Sequence, residues 1–209
     1  MSADVEIDAW LVERGYALPA SRAAARAALE AAGLTRAGKT RISTEKLARA
    51  AEALGAKFAL HCPTPECVAW AKGTGRQPLA CEPKASCERC GGSDNRRAMT
   101  DLVEAFRAKG VKRLLVVGGS PSVREELQEK LGDAIELRLV DGTERRTADK
   151  AKADMEWADL ILMWGASELH HKVSMQYTQA GGDVKRKLVL VQKRGIAQLL
   201  AAAVAHLRR

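Results

Sequence analysis

The stretch Val111-Lys-Arg-Leu-Leu-Val-Val-Gly-Gly-Ser-Pro121 decides the fold, because it joins an apolar strand to a glycine turn and to the start of a helix. A short run of Val and Leu is typical of a strand that is buried on both faces. Gly118 and Gly119 then let the chain turn, and Pro121 suits the first position of a helix. This order of elements predicts the first unit of a parallel α/β sheet.

The same alternation continues to the end of the chain. Strands are predicted at 111–117, 134–140, 159–164 and 187–192, and helices at 122–131, 146–158, 168–179 and 196–207. Strands separated by helices imply right-handed crossovers and a small parallel, Rossmann-like sheet of about four strands. We therefore predict an α/β domain over residues 99–209. Before it we predict a helical basic unit over 1–60 and a cysteine module over 61–98.

Patterns along the C-terminal half also resemble a known family. They are Leu-Val-Val-Gly-Gly-Ser at 115–120, a strand ending in Asp141-Gly142, Ala-Asp-Leu-Ile-Leu-Met at 158–163, His170-His171-Lys-Val, and Lys193-Arg194-Gly195. Together they resemble the bacterial domain of unknown function 2325. The resemblance implies a Rossmann-like fold and no particular activity.

A ligand site in such a sheet is expected beyond the carboxyl ends of the strands. The candidate ligand-binding residues there are Gly118, Gly119, Ser120, Asp141, Ser167, His171, Lys193 and Arg194. Amides of the glycine loop could hold a phosphate at the helix start, and Asp141 could bind a ribose. The dinucleotide fingerprint and the Walker loop are both missing from the sequence. Ser167, His171 and Asp141 suggest a hydrolase triad, but no nucleophile elbow accompanies them, so we assign no catalytic residue and favour a protein that is not an enzyme.

All five cysteines lie between Cys62 and Cys90. Two pairs, Cys62-Pro-Thr-Pro-Glu-Cys67 and Cys87-Glu-Arg-Cys90, have the spacing of zinc-binding knuckles, and the second resembles a zinc ribbon. Gly91-Gly92 permit the backbone angles that point amides at sulfur. The predicted zinc ligands are Cys62, Cys67, Cys87 and Cys90, with Cys81 and His61 as further candidates. Four thiolates leave no open position for water, which favours a structural site.

The first region is predicted to be helical and basic. A helix is expected from Ser21 to Ala32, and another begins at Ser43; the basic connector between them makes the pair resemble a helix-turn-helix. The candidate nucleic-acid contacts are Arg36, Lys39, Thr40, Arg41, Lys46 and Arg49. A helical packing or dimerisation module with a solvated basic face is the open alternative.

Composition points to the class of partner. The net charge is +8, and residues 20–60 hold eight basic against three acidic side chains, which favours a polyanion. Aromatic content of 4% argues against a stacking platform for single strands. We therefore predict a nucleic-acid-binding protein, with DNA favoured, that carries structural zinc and a C-terminal domain for a ligand, a partner or homodimerisation. Two alternatives stay open: a nucleotide-responsive sensor or small enzyme acting on phosphorylated substrates, and a structural adaptor in a larger complex.

The chain is expected to be cytoplasmic. Its start, Met-Ser-Ala-Asp-Val-Glu-Ile-Asp, is acidic and lacks the apolar centre of a secretory signal, so the cysteines are expected to stay reduced. The longest apolar stretch, 196–205, is broken by Gln198 and has about half the length of a bilayer span. We predict no membrane segment.

Overall fold

The structure, a computed structural model, describes residues 4–179 and 181–209. The chain divides into two compact units after Ser93. The first unit contains all five cysteines, and the second contains the predicted parallel sheet. Each unit has its own apolar core.

The first unit opens with helices and a small antiparallel sheet. Its first elements are β1 (Asp4–Glu6), α1 (Ile7–Glu13), α2 (Pro19–Ala31), β2 (Arg41–Ser43) and α3 (Leu47–Lys57). The helix expected from Ser43 instead begins at Leu47, after a single 3₁₀ turn at Thr44–Lys46. The connection between α2 and α3 contains β2, which pairs with β1. It is therefore longer than the roughly three-to-four-residue turn of a helix-turn-helix.

The cysteine segment forms a compact βαβ arrangement, in which the sequence analysis identified no helix or strand. Its elements are β3 (Phe58–His61), α4 (Pro65–Gly73) and β4 (Gln77–Ala80), with a 3₁₀ turn at Lys84–Ser86. The two strands are parallel, and α4 crosses between them. Apolar side chains from Ile7 to Phe58 share one core with the cysteines. Residues of the two regions predicted as 1–60 and 61–98 therefore pack together.

The second unit confirms the predicted α/β fold. Its elements are α5 (Asp94–Lys109), β5 (Arg113–Val117), α6 (Pro121–Leu131), β6 (Glu136–Val140), α7 (Ala148–Trp157), β7 (Leu160–Trp164), α8 (His171–Thr178), α9 (Asp183–Lys187), β8 (Leu188–Val191) and α10 (Ile196–Leu207). The four strands are parallel and lie in the order β6-β5-β7-β8.

Alternation along the strands separates two apolar layers in this unit. In β7, Leu160, Leu162 and Trp164 pack with α5, α6 and α10, whereas Ile161 and Met163 pack with α7 and α8. Helices cover both faces of the sheet, and this explains why β7 is apolar at every position. The first two strands of the unit, β5 and β6, lie side by side, and β7 pairs with the other edge of β5.

Two helices of the second unit were not predicted. In α5 the buried residues, which include Met99, Leu102 and Phe106, follow helical spacing, but charged residues fill the exposed face and hide the pattern. The other, α9, has only five residues and no buried side chain. Among the described residues, no helix combines the length and the apolar character that a membrane crossing requires.

Candidate metal centre

Four cysteine sulfurs converge in the core of the first unit. The sulfurs of Cys62, Cys67, Cys87 and Cys90 all lie within 4.8 Å of one another, and all four residues are buried. The sulfurs of Cys62 and Cys90 are 3.7 Å apart. Four thiolates around one ion, with bonds of about 2.3 Å, form a tetrahedron with edges of about 3.8 Å. The cluster thus has the size of a site for a single metal ion.

The first pair of cysteines is positioned by the turn from β3 into α4. Cys62 follows the last residue of β3, and Cys67 lies in the first turn of α4, which begins at Pro65. The amides of Cys67 and Val68 both donate to the carbonyl of Thr64 at 3.0 Å. The Thr64 hydroxyl lies 3.3 Å from the Cys62 sulfur. This closed turn directs both sulfurs to the same point.

The second pair lies in a tight glycine-dependent loop. The Gly91 amide donates to the Cys87 carbonyl at 2.8 Å, and Gly91 and Gly92 have φ values of +53° and +78°. A Cβ atom on Gly92 would lie 3.2 Å from the Ala85 nitrogen, in addition to the cost of its left-handed backbone. The predicted need for two glycines after Cys90 is therefore met by their geometry.

Glu88 ties the second loop to β3, next to the first pair of cysteines. Its amide donates to the Leu60 carbonyl at 3.1 Å, and its carboxylate accepts from the Leu60 amide at 2.8 Å. The other carboxylate oxygen lies 2.7 Å from the Arg76 guanidinium, which also donates to the carbonyls of Gly55 and Phe58 at 2.9 Å. The sequence did not assign Glu88 or Arg76 to the cysteine site; the available signal was the position of Glu88 between two cysteines.

The electrostatics of the cluster favour a bound cation. Burial would raise the pKa of Cys62, but hydrogen bonds from the Thr64 side chain and backbone lower the pKa of Cys62 to about 6. Burial raises the pKa of Cys67 above its ordinary value, as do the neighbouring sulfurs. Burial also raises the pKa of Cys90, against an opposing hydrogen bond from the Gly92 backbone. One thiolate therefore forms readily while its neighbours resist, and a divalent cation would remove that resistance.

The two further candidate ligands lie outside this group of four. Cys81 follows β4 and is buried, and its amide donates to the His61 carbonyl at 2.9 Å. Burial, followed by the charges of Cys87 and Cys62, raises the pKa of Cys81 to about 12. A ring nitrogen of His61, Nδ1, lies 3.0 Å from the Cys62 carbonyl oxygen.

The glycine loop after β5 is held by contacts within the second unit. Gly118 and Gly119 have φ values of +106° and +86°. The Gly119 amide donates to the Ser167 hydroxyl at 3.0 Å, and that hydroxyl donates to the Trp164 carbonyl at 2.6 Å. The Ser120 hydroxyl lies 3.2 Å from the hydroxyl of Ser122. Ser167 thus joins the loops after β5 and β7, where the strand order reverses.

Asp141 is engaged by its own surroundings. Its carboxylate accepts from the Thr143 amide and hydroxyl at 2.8 and 2.7 Å, and it pairs with Arg124 at 2.6 Å. The Thr143 hydrogen bonds, with the nearby Arg124 charge, hold the pKa of Asp141 below its usual value. Among the remaining candidates, His171 begins α8 and is exposed, as are Lys193 and Arg194. Ligand binding by these residues stays a prediction.

The six candidate nucleic-acid contacts lie around β2 and the start of α3. They are Arg36, Lys39, Thr40, Arg41, Lys46 and Arg49, and all of them are exposed. The Arg41 guanidinium donates to the Asp4 carbonyl, so part of its hydrogen-bonding capacity is used within the β1–β2 pair.

Comparisons of the chain with protein-family models, with curated proteins and with solved structures found no match. The resemblance of the C-terminal half to the bacterial domain of unknown function 2325 stays a prediction. The case for a metal centre accordingly rests on the geometry of the four cysteines.

Proposed function

We propose that this is a zinc protein whose tetrathiolate centre is structural and stabilises the first unit. The observation that carries the proposal is the convergence of four buried sulfurs from three places: the end of β3, the first turn of α4, and the loop that contains Cys87, Cys90 and Gly91-Gly92. Four thiolates complete a tetrahedral shell and leave no position for water or substrate, which is the pattern of structural sites. The centre therefore joins elements that lie far apart in the sequence.

The dimensions of the cluster favour one ion of a soft, tetrahedral type. Thiolate ligands in tetrahedral arrangement select zinc or iron among common metals. In a 4Fe–4S cluster each cysteine binds a different iron, and in a 2Fe–2S cluster the four cysteines are divided between two irons, so in both the four sulfurs are spread around a larger core. All four sulfurs lie within 4.8 Å of one another, which suits a single ion instead.

The test is metal analysis of the reduced, full-length protein, combined with two cysteine variants. We expect about one zinc per chain, as a closed four-thiolate site requires. Cys90→Ser should lose the metal, whereas Cys81→Ser, which alters a buried cysteine outside the group of four, should retain it. Substitution with Co(II) should give the absorption of a tetrahedral thiolate complex.

Three results would overturn the proposal. The first is a protein that stays free of metal after anaerobic reconstitution. The second is equal loss of metal from both variants. The third is iron in place of zinc, either alone or with inorganic sulfide.

We further propose that nucleic acid is the partner of the first unit. The supporting observation is that all six candidate contacts are exposed around one strand and one helix start, where lysine and arginine can meet phosphates. Binding of this kind weakens with salt, because each neutralised phosphate releases a counterion. The function of the glycine loop in the second unit is not needed for this proposal.

Fluorescence anisotropy with labelled duplex DNA at low and moderate salt tests the second proposal. The charge-reversed variant Arg36→Glu/Lys39→Glu should bind at least about tenfold more weakly. The control, Arg107→Glu/Lys109→Glu, reverses two exposed charges at the end of α5 in the second unit and should bind as the parent does. Equal weakening of DNA binding in both variants would mean that only the net charge of the protein matters, and it would contradict a defined binding surface in the first unit.

A further inference from the structure

The last strand of the sheet in the second unit leaves one edge open. β8 is the edge strand of the order β6-β5-β7-β8, and it pairs with β7 alone among the described strands. An open edge presents unpaired backbone groups to which another extended chain can add.

The direction of the backbone groups in β8 follows from one hydrogen bond. The Val191 carbonyl accepts from the Gly165 amide at 2.9 Å, so it points towards β7. Backbone groups of successive strand residues point to opposite sides. The amide and carbonyl of Leu190 therefore point away from β7, into the open edge.

The side chain of Leu190 marks the same place. With 56% of its surface exposed, it is the most exposed of the large hydrophobic residues that the structure describes. It is in register with buried Met163 of β7, and its neighbour Leu188 packs against the apolar layer under α7 and α8. An added strand would cover Leu190 and extend that apolar layer.

Exposed charges at both ends of β8 indicate the chemistry of the added strand. Lys185 and Arg186 precede the strand, and Lys193 and Arg194 follow it. Asp183, which lies 3.6 Å from Arg186, is the acidic residue nearest in sequence. The edge is therefore apolar at its centre and basic at both ends.

This charge pattern disfavours pairing with a second copy. If Leu190 lay opposite itself in an antiparallel pair, the basic residues before β8 in one copy, Lys185 and Arg186 of α9, would lie beside those after β8 in the other copy, Lys193 and Arg194. Like charges directly opposite each other destabilise a strand pair.

We propose that β8 binds an extended acidic segment of a partner protein as a fifth strand. The apolar centre of that segment covers Leu190, and its carboxylates meet Lys185, Arg186, Lys193 and Arg194. Main-chain hydrogen bonds supply the binding energy, and the charges select the partner.

The probe is the peptide Glu-Asp-Val-Thr-Val-Thr-Val-Glu-Asp, added to the full-length, ¹⁵N-labelled, metal-loaded protein. We expect amide shifts centred on Leu190 and its neighbours in β8. A control peptide with lysine at the four acidic positions should bind at least about fivefold more weakly, as several reversed surface ion pairs predict. Lys193→Glu/Arg194→Glu should weaken the acidic peptide by a similar factor and should improve binding of the basic one.

Leu190→Pro tests the role of the edge itself. Proline is tolerated on an edge strand where its nitrogen faces outward, and it removes the donor that an added strand needs. Leu190→Glu, which keeps the backbone donor but replaces the apolar contact with a charge that repels an acidic segment, is the second variant if the proline disturbs the fold. Both should abolish shifts from the acidic peptide while the metal content stays unchanged.

The proposal is overturned if millimolar acidic peptide leaves the amides of β8 unmoved, or if both peptides bind equally. It is also overturned if binding survives in both Leu190 variants. A concentration-dependent dimer that Leu190→Pro abolishes, without any peptide binding, would instead assign the edge to a second copy.

Discussion

The two units of this protein differ in the side chains that fill their cores. The second unit surrounds a four-stranded parallel sheet with helices, and the interior of β7 is apolar at every position. Over residues 4–93, the first unit has only two-stranded sheets, and its core includes all five cysteines. Where a core gathers thiols in place of apolar side chains, a bound metal can supply folding free energy that packing does not. One chain thus combines a unit with apolar cores on both faces of a sheet and a unit whose core gathers four possible metal ligands at one point.

Removal of the metal should give the largest difference between the units. Structural zinc contributes on the order of 10 kcal/mol in small zinc-binding domains, and thiol protonation after its loss leaves four polar groups buried. We expect a strong chelator to abolish hydrogen-exchange protection in β3, in α4 and in the cysteine loop over residues 87–92. Protection in β5 and β7 should remain. Exchange measured by mass spectrometry, segment by segment, distinguishes the two.

If β3 and α4 kept their protection without metal, the apolar core of the first unit would be sufficient, and the contrast between the units would fail. Restoration of protection by added zinc, and not by magnesium, is the accompanying control, because thiolates discriminate between these ions.

The second comparison uses a matched pair of leucines from neighbouring strands. Leu162 of β7 is fully buried, whereas Leu190 of β8 is exposed. Leu162→Ala should lower the free energy of unfolding of the second unit by about 3 kcal/mol through lost contacts and a cavity. Leu190→Ala should change it by less than about 0.5 kcal/mol. Neither should alter the metal content, and urea denaturation with metal analysis measures both quantities.

Regular periodicity made the second unit easy to predict. Apolar runs bounded by turn residues predict its elements, and such runs depend on neighbouring residues alone. Examples are the strands that end at Val117, Val140 and Trp164 and the helix Ile196–Leu207. The helix α5 was missed, although its buried positions carry a signal, because its exposed face is densely charged. The strand β2 was missed for another reason: it exists through pairing with β1, a contact distant in sequence, whereas Ser43 does precede the 3₁₀ turn that leads into α3.

For the cysteine cluster too, the sequence predicts local features but not contacts between residues that are distant along the chain. Spacing within each pair could be read from the sequence, as could the need for Gly91 and Gly92. The position of Cys81 outside the group of four could not be read from the sequence, because it depends on where β4 ends relative to β3. The link from Glu88 to Leu60 and Arg76 is likewise a property of the folded chain.

The third prediction concerns a buried carboxylate in the second unit. Asp154 is 2% exposed and pairs with Arg138 and Arg146, and the Tyr177 hydroxyl donates to it at 3.2 Å. Burial opposes ionisation, but the two arginines outweigh it and hold the pKa of Asp154 below its usual value. Asp154→Asn should therefore lower the free energy of unfolding by about 2 kcal/mol at neutral pH.

The sign of the pH dependence sharpens this test. A carboxylate with a depressed folded pKa contributes stability above its unfolded pKa, near 3.9, and loses that contribution as pH falls through the folded pKa. The difference between parent and Asp154→Asn should thus be constant near neutrality and shrink in acid. Asp149→Asn, at an exposed position of α7, is the control for the loss of one carboxylate. Metal loss from the first unit should occur at higher pH, because protons compete for thiolates more strongly than for carboxylates.

The smallest effect tests whether the first unit depends on its metal alone or also on what positions the ligands. Glu88→Gln keeps an oxygen that can accept from the Leu60 amide but removes the charge that pairs with Arg76. Groups that orient metal ligands typically change affinity by about 10- to 100-fold, and we expect the lower end here because one hydrogen bond survives. Competition with a chromophoric chelator measures that affinity, and Glu82→Gln, at an exposed position beside Cys81, is the matched control. Equal affinities in the two variants would mean that the four cysteines are held by their own turns; a selective loss in Glu88→Gln would show that the second loop reaches the metal correctly only when it is tied to β3.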